Sequence, residues 1–74
     1  MKNKFLVIIE EGKNNFSAYS PDLPGCVAVG ETLEETLELM RDAIVFHLEG
    51  LLRNEMEIPK PHTRAEYIAV PAFA

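Results

Sequence analysis

Few side chains in this sequence have types that could do chemistry, and their spacing matches no catalytic or metal-binding motif. The candidates are two histidines, His47 and His62, and a single cysteine, Cys26. Ligands of a zinc site are clustered, and these three are not. Asp22 could join Cys26 or His62 in a nucleophilic site, but no spacing of base and nucleophile supports that grouping. We therefore expect no catalytic residue, no bound metal and no cofactor.

Carboxylates could instead hold a metal ion for hydrolysis, which requires several of them to converge. Only Glu10, Asp22 and Glu66 lie on or beside predicted strands, and nothing in their spacing predicts that they meet. A residual hydrolase is thus the last of the functions to consider. We interpret Asp22 as a turn residue whose carboxylate caps local backbone donors. The sequence predicts that the protein is not an enzyme.

Length and charge limit the function further. With 74 residues the chain predicts one small domain, 1–74, whose thin core favours oligomerisation. A net charge of −5 argues against direct binding of nucleic acid and suits a basic protein partner. The lone cysteine and the short apolar runs predict a soluble cytoplasmic protein without contact to a membrane.

Residues 20–26 predict a rigid corner. Pro21 and Pro24 fix φ and lack backbone donors, which excludes a helix. Gly25 can adopt a positive φ, as tight bends require. We expect these three residues to have a structural role, turning the chain between two strands.

The rest of the pattern predicts an α+β domain. Residues 4–11, 16–20 and 26–29 are predicted strands, because runs of apolar and β-branched residues are bounded there by turn residues. Residues 67–70 are predicted as a last strand, which Pro71 ends. The order β-β-β-α-β favours an antiparallel sheet with one helix packed on one face.

The helix has the clearest boundaries. Thr32 is a suitable N-cap, and Glu35 three residues later completes a capping box. Pro59 and Pro61 exclude its continuation beyond the segment 54–60. A spacing of three and four predicts the side chains of the core-facing stripe: Leu33, Leu37, Met40, Ile44, Leu48 and Leu51.

Leu39 and Phe46 lie on the flank of this stripe, one heptad apart, with Ala43 beside them. They belong either to a wide apolar face that curls over the sheet or to a second contact surface for another chain. An exposed Phe–Leu patch would be unusual on a soluble monomer. The sequence leaves both interpretations open.

The pattern as a whole resembles the HicB antitoxin family. The resemblance rests on Pro21-Asp22-Leu23-Pro24-Gly25-Cys26, on Gly30-Glu31-Thr32-Leu33-Glu34-Glu35 and on Ile58-Pro59-Lys60-Pro61. The family commonly has Asp where this chain has Glu31. The resemblance covers nearly the whole chain and implies a partial ribonuclease-H-like fold, β-β-β-α-β, without a functional nuclease site.

What the resemblance implies is a protein partner. HicB proteins bind HicA, a small basic mRNA-cleaving toxin, and cover its catalytic histidine. Many HicB antitoxins also carry a DNA-binding domain, but we expect none within residues 1–74. The expected function is therefore that of a non-enzymatic antitoxin module that neutralises a HicA-like toxin.

The surface expected to contact a partner or a second copy consists of Tyr19, Asp22, Leu23, Leu39 and Phe46. The alternative function is a stand-alone homo-oligomeric scaffold or regulatory domain without a toxin. Such a scaffold would contact only itself, through Leu6, Ile8, Leu39 and Phe46.

Overall fold

The computed structural model describes residues 4–73, and these contain three strands followed by one long helix. The elements are β1 (Ile8–Glu11), β2 (Phe16–Tyr19), β3 (Val27–Gly30) and α1 (Leu33–Arg53). The strands form an antiparallel sheet in the order β1-β2-β3. The predicted α+β class, with one helix on an antiparallel sheet, is confirmed.

The strand register divides the sheet into a covered and an uncovered face. α1 packs over β2 and β3. Neighbouring positions along the strands face opposite sides of the sheet. One cross-strand row faces the helix and consists of Ile9, Ala18 and Ala28. The next row lies on the uncovered face and consists of Ile8, Tyr19 and Val27.

The buried core is small. Its apolar members among residues 4–73 are Ala18, Leu23, Cys26 and Met40. Partly buried residues pack around them from the segment before β1, from the strands and from α1: Phe5, Val7, Ile9, Ala28, Ile44 and Leu48. The corner therefore contributes two of the four fully buried apolar side chains.

Both ends of α1 are capped by local hydrogen bonds. Thr32 is the N-cap, and its hydroxyl accepts a hydrogen bond from the Glu35 backbone N–H at 3.1 Å. The Glu35 carboxylate reaches back and accepts from the Glu31 N–H at 2.6 Å. At the other end Asn54 is the C-cap, and Glu55 follows with φ 57°, which turns the chain back. The predicted N-terminal cap is thus present.

The predicted core stripe of the helix is wrong in its first two turns. Leu33 and Leu37 are 39% and 44% exposed, whereas Thr36 is completely buried. Thr36 can occupy the interior because its hydroxyl donates to the Thr32 carbonyl at 2.7 Å. A pattern that counts only apolar residues cannot find a threonine whose polar group is satisfied inside its own helix.

The predicted last strand, 67–70, is not formed among residues 4–73. The helix is the final regular element there, and Tyr67, Ile68 and Val70 are exposed. A strand requires a hydrogen-bonded neighbour, and within the described part of the chain this segment has none. The first strand is also shorter than the predicted 4–11. Its partner β2 ends at Tyr19, opposite Ile8, where the corner turns the chain away.

Gly30 and Gly50 provide a matched test of the packing between β3 and α1. A Cβ atom on Gly30 would lie 2.6 Å from the Thr36 Oγ1 atom, whereas one on Gly50 would meet nothing within 4 Å. We expect Gly30→Ala to lower the free energy of unfolding by about 1–3 kcal/mol, as overpacking does. Gly50→Ala should raise it by about 1 kcal/mol through helix propensity. Urea denaturation of both variants checks this, and equal effects would contradict the described contact.

Candidate functional site

The corner is a compact turn between β2 and β3. The Leu23 N–H donates to the Ser20 carbonyl and the Cys26 N–H donates to the Leu23 carbonyl, both at 3.1 Å. Gly25 has a φ of 89°, in the left-handed region that favours glycine. Leu23 is completely buried. The corner is therefore held by two backbone bonds and by a leucine inserted into the core.

The Asp22 carboxylate joins the corner to the chain that follows the helix. Its Oδ2 atom accepts from the backbone N–H groups of His62 at 3.0 Å and of Thr63 at 3.1 Å. Its Oδ1 atom accepts from the Thr63 hydroxyl at 2.5 Å. The hydrogen bond from the Thr63 hydroxyl lowers the pKa of Asp22. Burial raises this pKa and the two backbone hydrogen bonds lower it, so that on balance it lies below its usual value. The carboxylate is thus buried in its charged form with several donors around it.

This arrangement corrects the prediction that Asp22 caps local donors. The partners lie 40 and 41 residues away along the chain. A buried carboxylate needs hydrogen-bond donors, so its burial would have pointed to distant partners. The sequence shows neither that Asp22 is buried nor that His62 and Thr63 approach it.

His62 completes the cluster, but the geometry is not that of a nucleophilic site. Its Nδ1 atom lies 3.1 Å from Asp22 Oδ1 and 3.2 Å from the Lys60 carbonyl oxygen. The nearby Thr63 hydroxyl donates a hydrogen bond to Asp22 and not to the histidine, so the histidine does not activate it. Cys26 is buried, and burial raises the pKa of its thiol, which keeps it protonated. The cluster is suited to fixing the path of the chain.

The three carboxylates proposed for a residual hydrolase do not converge. Asp22 is engaged as described, and Glu66 pairs with Arg64 at 3.4 Å. Glu10 is exposed on β1. Across residues 4–73, no group of three histidine, cysteine or acidic side chains could hold a metal ion. In the same range, no helix is both long enough and apolar enough to cross a bilayer.

The predicted contact residues fall into three different places. Asp22 and Leu23 are buried, so their assignment as surface contacts is corrected to a structural one. Tyr19 is exposed on the uncovered face of the sheet, together with Val27 and Val29 of β3. Leu39 and Phe46 are exposed on α1, and Phe46 retains 74% of its surface.

Two concave surfaces flank the helix. The first, which we call the corner depression, has a volume of about 470 Å³ and is lined by Gly25, Cys26, Ala43, Phe46, His47, Gly50, Leu51 and Asn54. It brings Phe46 next to the corner. The second, which we call the β1 groove, has a volume of about 310 Å³ and lies between α1 and the segment that precedes β1. It is lined by Phe5, Val7, Leu37, Met40, Arg41, Ile44, Val45 and Leu48.

Comparison with known proteins shows which family the chain is similar to. A family model described as the HicB_like antitoxin of bacterial toxin-antitoxin systems matches residues 5–74. The Antitoxin HicB 2 of Photorhabdus laumondii is 31% identical over 93% of this chain and 50% of its own length. An uncharacterised 14.9 kDa protein of Haemophilus phage HP1 is 36% identical over 90% of this chain and 50% of its own length. The chain therefore spans about half the length of these two relatives.

Two further relatives concern the domain alone. A UPF0150 protein of Thermoplasma acidophilum is 34% identical over 93% of this chain and 99% of its own length. The crystal structure of the N-terminal domain of Burkholderia pseudomallei antitoxin HicB is similar with a TM-score of 0.69 and 25% identity. That similarity covers 77% of this chain and 69% of the Burkholderia chain.

The Asp22 interaction predicts a pH dependence of stability. Its pKa is lower in the folded state than in the unfolded state, so its contribution is complete above about pH 4 and is lost as the pH falls through the folded pKa. Asp22→Asn should be less stable than the native protein at neutral pH, and the difference should shrink in acid. Urea midpoints at about pH 7 and about pH 3, at one protein concentration, measure this.

The matched control is Asp42→Asn on the exposed face of α1. This substitution should change the urea midpoint little at either pH. We call the hydrogen bonds from His62 and Thr63 to the charged Asp22 carboxylate the Asp22 anchor. A loss of stability in Asp22→Asn that is equal at neutral and acid pH would contradict a charged carboxylate in this anchor.

Proposed function

The chain belongs to the HicB-like antitoxin family, and from this premise we propose that it is a non-enzymatic module that binds and neutralises a HicA-like, mRNA-cleaving toxin. The observation that carries the proposal is the family match over residues 5–74, nearly the whole chain. Binding alone suffices for neutralisation, because a toxin whose catalytic residues are covered cannot reach its RNA. The proposed location is the cytoplasm, where mRNA is translated.

The charge of the chain supports a basic partner. The net charge is −5, and the solvent side of α1 carries acids along its length, among them Glu34, Glu38, Asp42 and Glu49. A basic toxin would be drawn to this surface by long-range attraction, which raises the association rate. The same charge disfavours binding of nucleic acid by this chain.

The shape of the corner depression supports its role as the surface that contacts the toxin. An exposed phenylalanine beside a concave, largely apolar surface is typical of the few side chains that dominate binding energy. Phe46 is carried by a capped helix, and the facing wall is fixed by the buried Leu23 and the Asp22 anchor. The contact surface is therefore preorganised, which reduces the entropy lost on binding. Leu39, one heptad before Phe46, extends the surface along α1.

A second candidate is a homo-oligomeric scaffold or regulatory domain that acts without a toxin. It is favoured by the amount of exposed apolar surface, which includes Val27, Val29 and Tyr19 on the uncovered sheet face. Surfaces of this kind on small proteins usually mark an interface. Self-association and toxin binding are compatible, because the sheet face and the corner depression lie on different sides.

Co-expression with a basic protein encoded beside its gene tests the antitoxin function. We expect the neighbour alone to arrest growth and to cleave mRNA, and the chain to restore growth and co-purify with it. Restored growth without a complex, or a complex without restored growth, would contradict neutralisation by binding.

Phe46→Asp should reduce toxin affinity by roughly ten-fold to a hundred-fold, in the range of an interface hot spot. Leu52→Asp is the matched control, because Leu52 is also exposed on α1 but lies about 120° away around the helix. It should leave the affinity nearly unchanged. Calorimetric titration measures both, and circular dichroism verifies that both variants fold. An equal effect of the two variants would exclude the corner depression as the contact surface.

Affinity should also fall with ionic strength, because opposite net charges attract the partners. Raising NaCl from about 50 to about 500 mM should lower the association rate much more than it raises the dissociation rate. Stopped-flow binding measures the two rates separately. An association rate independent of salt would contradict electrostatic steering.

A further inference from the structure

β3 is an edge strand with an open outer side. In the sheet order β1-β2-β3 it pairs with β2, and no strand of residues 4–73 pairs with its other side. Soluble proteins protect such edges with charged residues, prolines or bulges, because free backbone groups pair readily with another strand. The sequence of β3, VAVG, has neither a charge nor a proline, and its register with β2 has no bulge. Its outer edge is therefore suited to accept a further strand.

The helix overhangs this edge. Only Glu31 and Thr32 separate β3 from α1, so the helix turns back over the strand. Phe46 lies about 180° around the helix from Leu37, and Leu37 lines the β1 groove. The side of α1 that carries Phe46 thus faces away from β1, above the outer edge of β3. We call the apolar residues on this side the helix shelf: Leu39, Ala43 and Phe46.

A row of acids borders the helix shelf. Glu35, Asp42 and Glu49 are seven residues apart and therefore follow one line along α1, which Arg53 ends. Asp42 is exposed and lies about 40° around the helix from Phe46, on the side away from the sheet. Among residues 4–73 neither Asp42 nor Glu49 forms an ion pair. The open edge is thus flanked first by apolar and then by acidic side chains.

We propose that an extended, basic segment of the HicA-like toxin adds to the outer edge of β3 as a fourth strand beneath the helix shelf. This inference rests on the proposed function and specifies how the toxin is bound. The segment has apolar side chains at every second position, which face the helix and pack against Leu39 and Phe46. A Lys or Arg of the segment reaches past the shelf and pairs with Asp42.

The dimensions of the edge and of the shelf agree. The four residues of β3 extend over about 13 Å, and Leu39 and Phe46 are separated by about 10 Å along the helix axis. A segment of about four or five residues therefore pairs with the whole of β3 while it remains under the shelf. The corner depression lies at the Phe46 end of this path, and the Cβ position of Gly50 faces open space there. It has room for a large side chain at the end of the segment.

A strand suits this surface better than a helix does. A helix docked on the shelf would remove the free backbone groups of β3 from water without bonding them, which costs free energy. An added strand covers the same apolar side chains and also satisfies those groups. The main-chain bonds then supply affinity, and the shelf and Asp42 supply the preference for an apolar and basic segment.

Hydrogen exchange of backbone amides, followed by NMR, tests the added strand in the complex with the basic protein encoded beside the gene. Alternate N–H groups of an edge strand point outward, so two β3 amides, two residues apart, should exchange rapidly in the free chain. In the complex these two amides should exchange at least about ten-fold more slowly, because they donate to the added strand. The outward-facing amides of β1 are the matched control and should keep their exchange rates.

Asp42→Lys tests the ion pair, with Glu10→Lys as its matched control. Both residues are exposed acids, so each substitution changes the net charge equally, but Glu10 lies on β1 at the opposite edge. Asp42→Lys should raise the dissociation constant about ten-fold more than Glu10→Lys does. Calorimetric titration measures both, and circular dichroism verifies their folding. Equal effects would overturn the pairing with Asp42.

The possible failures are distinguishable. A complex in which the β3 amides exchange as fast as in the free chain would overturn the added strand and leave the antitoxin function intact. The absence of any complex would overturn the proposed function and the added strand together. Slow exchange of all β3 amides in the free chain would mean that the edge is already covered, which also contradicts the proposal.

Discussion

The structure depends on one buried carboxylate. Asp22 is held in the corner by the turn that Leu23 and Cys26 complete, so it cannot move to water without disrupting the turn. A buried carboxylate is strongly unfavourable without donors, and those available are the His62 and Thr63 backbone N–H groups and the Thr63 hydroxyl. The same hydrogen bonds thus stabilise the corner and fix the path of the chain after the helix at residues 62–63. Interactions of this kind replace a disulfide in a chain with a single cysteine.

The small core explains why so much apolar surface remains available. Hydrophobic residues make up 47% of the sequence, yet only four are fully buried apolar residues among those that the structure describes. One helix on three short strands cannot cover both faces and both edges of the sheet. The remaining apolar surface is concentrated at the corner depression, the β1 groove and the uncovered sheet face. Apolar surface of this extent is available for contact with another protein chain.

The sequence predicted those features that depend on local chemistry. The N-cap at Thr32, the corner with Gly25 and the two strands before it follow from rules that act within a few residues. Features that depend on distant contacts were missed. The partners of Asp22 lie across the fold, and the burial of Thr36 depends on the close approach of Gly30. The strand at 67–70 was expected from β-propensity, which cannot say whether a neighbouring strand is present in the same chain.

The separation of Asp22 from Thr63 also determines the order in which the fold can form. The β1–β2 pair, the corner and α1 involve neighbouring residues and close first, because short loops lose little entropy. The anchor closes a loop of 41 residues and gains its hydrogen bonds only when these elements are in place. During synthesis it must wait until Thr63 has left the ribosome, after the three strands and α1 have been made. Until then the nascent chain holds a corner whose carboxylate still lacks its donors, so the corner is completed only after the helix that follows it.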